Sequence, residues 1–157
     1  RWMTGTQSHE AIVGAAAAVD YLAEIGFQTD RSLTARREAL ELALQSIVEY
    51  ERELGQLLLE RTARIPGLKL WGIGDPQRFG ERVPTFSFTH SEKTPQNIAA
   101  RLGKLGIYVW PGNHYALPFT QAAGLEPEGT LRVGLLHYNT REEVARLGDS
   151  LERVLSE

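Results

Sequence analysis

Cysteine is absent from all 157 residues, which excludes disulfides, thiolate metal sites and a cysteine nucleophile within the chain. Strong charge of either sign is missing as well. A net charge of −3 and a pI near 5.9 give no electrostatic basis for binding nucleic acid or an acidic membrane. No apolar run is long enough to span a bilayer. The most apolar window, residues 11–26, is interrupted by Asp20 and Glu24 and rich in alanine, so it reads as a buried helix. The first residues lack the pattern of a signal peptide, and a reducing cytoplasm is the default compartment. The chain starts Arg-Trp-Met without an initiator methionine, and so reads as a fragment or a processed product. Glycine-rich phosphate loops are absent too, since GIG at 72–74 lacks both the third glycine and the Lys-Ser/Thr. His9, His90, His114 and His137 have no ligand-like spacing, so no metal site is expected. No Ser-His-Asp set can be assembled by spacing.

What is present is a 42% hydrophobic chain, enough for the core of one domain. Residues 8–25 predict a helix that is apolar around most of its circumference. Asp20 and Glu24 mark its wet stripe, and Gly26 is its expected stop. Such a helix must be covered on several sides and calls for a large partner surface. A second helix is expected from about Leu33 to Thr62, capped by Ser32 or Thr34, with Leu40, Leu44, Ile47, Leu54 and Leu58 on one face. Strands are predicted at 68–72, 82–90, 107–110 and from Leu131 onward, with Pro84 at an edge or strand entry. Thr94 and Pro95 cap and open a helix burying Ile98, Leu102 and Leu105, and 118–125 form a short helix. Thr140 and Glu143 make a capping box for the last helix, which buries Val144, Leu147, Leu151 and Val154. This order predicts an α+β layer: a small, mostly antiparallel sheet covered by helices.

Three segments have the residues for chemistry. TGTQSHE (4–10) places a glycine and hydroxyls before a helix, where either an ordinary cap or an anion site fits. GNHYALP (112–118) carries His114 and Tyr115 on a loop between strands, and histidine transfers protons near neutral pH. LRVGLLHYNT (131–140) sets Arg132 inside an otherwise apolar strand. A cation there needs either a structural carboxylate or one arriving with a substrate, which its fork would meet in bidentate fashion.

In this order the motifs W-x-T-G-T-Q-x-H-E (Trp2 to Glu10), R-x-P-T-x-S-F (Arg82 to Phe88) and R-V-G-x-x-H-Y-N-T (Arg132 to Thr140) resemble the C-terminal part of class V aminotransferase-like enzymes, specifically the cysteine desulfurase-like branch. These are pyridoxal-phosphate proteins of fold-type I. The resemblance implies that residues 1–30 are a helix entering from a large domain and 31–157 the C-terminal small α+β domain. It implies a homodimer in which Gly5 and Thr6 reach the cofactor phosphate of the neighbouring subunit. Arg132 would hold the α-carboxylate of an amino-acid substrate, with Asn113 as a further substrate contact and His114 and Tyr115 as catalytic residues. The implied chemistry is lyase-type or desulfurase-like, at Cα–Cβ. Two positions depart from the branch. Tyr115 stands where true desulfurases carry the persulfide cysteine, and Met3 replaces a frequent glutamate. Lys69, Lys93 and Lys104 match no position of the lysine that anchors the cofactor, so the chain alone is expected to be inactive. Alternatives are a pyridoxal-phosphate racemase or aminotransferase, or a non-catalytic α+β module binding a small carboxylate or a protein partner.

Overall fold

In the computed structural model, which describes residues 5–157, Ser8 opens the first helix, α1 (His9–Thr29), its hydroxyl accepting the Ala11 N–H at 3.3 Å. Trp2, Met3 and Thr4 of the first motif lie outside the described residues. Gly26 does not stop this helix. It is buried inside it, and a Cβ there would come 1.8 Å from the Ala39 carbonyl oxygen of α2 (Arg36–Thr62). The glycine serves a close approach of two helix backbones, not a reversal of the chain. The reversal falls at Asp30, whose carboxylate accepts the Ser32 N–H at 2.9 Å and the Ser32 hydroxyl at 2.7 Å. That local turn competes with helix and delays α2 beyond the expected start.

The chain divides into two compact units, one reaching to Glu49 and the other Tyr50–Glu157, the division falling within α2. The buried residues of the first unit are small ones such as Ala23, Gly26, Ala39 and Ala43. The N-terminal half of α1, expected to be covered, is open among the described residues, with Ile12 50% and Val13 68% exposed.

The second unit holds a four-stranded sheet in the order β1-β2-β4-β3, from β1 (Leu68–Trp71), β2 (Thr85–His90), β3 (Trp110–Gly112) and β4 (Thr130–Gly134). Every neighbouring pair is antiparallel. α3 (Pro95–Lys104), the short α4 (Leu117–Ala122) and α5 (Arg141–Ser156) complete the helices, and a 3-10 helix spans Pro76–Glu81. The predicted α+β layer is thus the fold observed. The strand expected at 107–110 pairs only from Trp110 onward, because the Ile107 N–H is spent on the Leu102 carbonyl at the end of α3. Pro111, which has no N–H to give, sits on an edge strand.

One face of the sheet makes the core. Phe86 and Phe88 stack there at 6.3 Å with Leu131, Val133, Leu54, Leu58 and the apolar stripe of α5. That stripe is fixed by the expected capping box, in which Thr140 accepts the Glu143 N–H at 3.1 Å and Glu143 accepts the Thr140 N–H at 2.9 Å. The other end of α5 is tied down by cations: Lys93 reaches the Val154 and Leu155 carbonyls at 3.1 and 2.8 Å, and Arg101 the Val154 carbonyl at 2.7 Å.

Arg82, the first residue of the R-x-P-T-x-S-F motif, is structural. Its guanidinium donates to the Ile73, Val83 and Thr85 carbonyls and lies 3.9 Å over the Phe86 ring. This ties the strand entry at Pro84 to the preceding loop.

Candidate active site

Alternation along β4 sends Leu131 and Val133 into the core and Arg132 to the opposite face of the sheet. Antiparallel register then builds a row across that face. Trp71 pairs with Ser87, Ser87 with Arg132, and Arg132 with Trp110. Arg132 is exposed, and it makes no salt bridge or side-chain hydrogen bond among the described residues. The structural ion pair that a buried cation would have required is therefore not present. Trp71 is held beside the row by its indole N–H to Thr89 Oγ1 at 2.9 Å, with Phe119 of α4 edge-on at 5.8 Å and Lys69 Nζ 3.7 Å over its ring.

A groove of about 670 Å³ runs beside Arg132, lined by Val83, Thr85, Tyr108, Trp110, Gly134 and Leu136, with Glu51 also on it. The Glu51 carboxylate accepts the His137 N–H at 3.1 Å.

The loop after β3 brings Asn113 and His114 to the same end of β4, because Gly112 pairs with Thr130. Gly129 sets how tightly. A Cβ there would lie 2.2 Å from the Gly112 carbonyl, so only glycine lets the two backbones meet. Asn113 is taken up in the loop itself, its amide oxygen accepting the Tyr115 N–H at 3.2 Å and its NH₂ reaching Glu126 at 3.4 Å. His114 Nε2 lies 3.3 Å from the Thr130 carbonyl, which can only accept; Nε2 therefore carries the proton and Nδ1 a lone pair. That Nδ1 is buried without a hydrogen-bond partner among the described residues. Burial pushes the imidazole below its ordinary range; the Thr130 carbonyl opposes this, and the Arg132 charge adds to it. Tyr115 is fully exposed. His114 and Tyr115 take φ of 54° and 60°, a left-handed pair that side chains other than glycine adopt at a cost.

Of the residues singled out by sequence, Asn113, His114, Tyr115 and Arg132 thus belong to one end of the sheet. Gly5 and Thr6 belong to the first unit, exposed just before α1, where the capping oxygen is that of Ser8. Sequence reasoning passed over Ser87, Trp110, Tyr108 and Glu51. For Ser87 the signal was available, since period-two alternation puts it opposite the buried Phe86 and Phe88. Trp110 becomes visible only through the register of β3 on β4.

Pyridoxal phosphate, the cofactor the motifs imply, fits this donor set only in part. Arg132 suits an anionic group, but the lysines are placed for other work. Lys93 is bound by the end of α5, Lys69 rests on Trp71, and Lys104 is exposed in the last turn of α3.

Comparison with known proteins gives the family and the fold. Residues 1–147 match the family model "Aminotransferase class-V". The chain is 30% identical over 154 residues to the cysteine desulfurases of Salmonella typhimurium and of Escherichia coli O127:H6, covering 98% of this chain and 32% of those proteins. It therefore spans about a third of the length of these curated relatives. Among solved structures, the apo cysteine desulfurase from Thermococcus onnurineus NA1 is similar with a TM-score of 0.67 and 25% identity, over 77% of this chain and 29% of that one. The Escherichia coli cysteine desulfurase CsdA shares the fold with a TM-score of 0.60 and 24% identity, over 76% of this chain and 30% of that one. With its motifs, its antiparallel sheet and a family model matching nearly all of its length, the chain belongs to the aminotransferase class-V family.

Proposed function

We propose that this chain is the C-terminal small domain, with its entering helix at residues 1–30, of a pyridoxal-phosphate enzyme acting on an amino acid by lyase-type or desulfurase-like chemistry. The observation that carries the reading is Arg132: an exposed guanidinium without a carboxylate partner among the described residues, in register with Ser87 and Trp110 on the open face of the sheet. A guanidinium so placed receives a substrate carboxylate in two parallel hydrogen bonds. Held there, the amino acid is fixed in orientation, which is the protein's share of the work. The bound cofactor supplies an electron sink. Gly5 and Thr6 would hold its phosphate across a homodimer interface, in an enzyme working in the cytoplasm.

His114 presents one lone pair, at Nδ1, beside Arg132 and stays neutral at neutral pH. In this reading it accepts a proton or a hydrogen bond at that atom when substrate arrives. Tyr115 shapes the pocket from the loop, and Asn113 acts by holding the loop. With no cysteine in the chain, none of its residues can accept sulfur as a persulfide.

Because the chain's lysines are engaged or remote, it should not anchor the cofactor by itself. Borohydride reduction of the purified chain with pyridoxal phosphate, followed by peptide mass mapping, tests this. No stoichiometric adduct is expected. A single modified lysine among Lys69, Lys93 and Lys104 would overturn the assignment.

A further inference from the structure

Resting on the proposed role of Arg132 as carboxylate ligand, we infer that the groove beside it takes a bulky, apolar amino-acid side chain rather than a small polar or an acidic one. Charge complementarity fixes one end of the ligand. Arg132 is the cation on this groove, and no carboxylate among the described residues neutralises it. The walls fix the other end. Val83 is 69% exposed, Tyr108 89%, Trp110 68% and Leu136 43%, so large apolar groups gather where the groove adjoins the cation. Apolar surface concentrated in this way marks a binding surface, and about 670 Å³ is the size of a small-molecule site.

Gly134 makes the space. It follows Arg132 by two residues on the same face and pairs with Thr85. Its backbone is not left-handed, and a Cβ added to it would meet nothing within 4 Å. Neither conformation nor close packing calls for glycine here, and the missing side chain leaves a gap in the row next to Arg132. Glu51 supplies the exclusion. This acidic residue lines the groove, its carboxylate accepting the His137 N–H, and its charge disfavours a second carboxylate on the ligand, while a small polar side chain would leave the apolar walls wet.

The test is an amide NMR titration of the 157-residue chain with acetate, 4-methylpentanoate and 4-methylpentan-1-ol. The branched acid should bind about tenfold more tightly than acetate, from the extra methylene and methyl groups buried, and should shift Trp110, Arg132 and Gly134. The alcohol should leave these amides unmoved. Gly134→Val should bring the branched acid down to the affinity of acetate. Tyr108→Ala, a change at an exposed side chain, should reduce the same preference and serves if Gly134→Val does not fold. Equal affinity for the two acids in the wild-type chain would overturn the groove inference and leave Arg132 as carboxylate ligand. Failure of both acids to bind, or binding of the alcohol as tightly as the acid, would overturn the role of Arg132 and the inference with it.

Discussion

His114 shows how a single side chain can report on the site. Its ordinary pKa is 6.5 in the unfolded chain, and burial lowers it in the native one. Between those two values the unfolded state binds a proton that the native state does not, so stability falls as pH drops through about 6.5 and levels off below the native value. Above 6.5 both states are neutral and the term vanishes. Urea unfolding midpoints measured from pH 5 to 7.5 should therefore decline toward acid in the wild-type chain. They should decline less in His114→Asn, a residue that tolerates the left-handed backbone at this position. An unchanged slope would mean that His114 titrates alike in both states. Arg132 was visible in the sequence as an anomaly, a cation in an apolar strand. Alternation with Leu131 and Val133 also set its face; which side chains flank it was not legible, because that depends on how the strands register.

At the scale of elements, local chemistry that is complete within a few residues was legible. Thr94-Pro95 and the Thr140/Glu143 box each bring donor and acceptor within one turn, and each is found where the sequence put it. Gly26 was misread because a glycine that ends a helix and one that admits a neighbouring backbone look the same in one dimension. The distinction has a measurable consequence. Gly26→Val puts a branched side chain where even a Cβ would lie 1.8 Å from the Ala39 carbonyl. The helices must separate, at a cost of about 3 kcal/mol, and thermal unfolding followed by circular dichroism should show α1 and α2 melting earlier. A helix stop would instead tolerate the change with a loss nearer 1 kcal/mol.

At the scale of the whole molecule, the order of motifs gave the family, and period-two alternation gave the sheet's apolar face. The open face came from register alone. It lines up Trp71, Ser87, Arg132 and Trp110 from four strands that are far apart in sequence. On that face Arg132 is the proposed ligand of the substrate carboxylate. The most direct measurement is an amino-acid titration of a complete enzyme containing this chain, wild type against Arg132→Ala, at saturating pyridoxal phosphate. Arg132→Ala should lose about 2–4 kcal/mol of amino-acid affinity, roughly 30- to 1000-fold, with cofactor content unchanged. Equal affinity in the two proteins would contradict it.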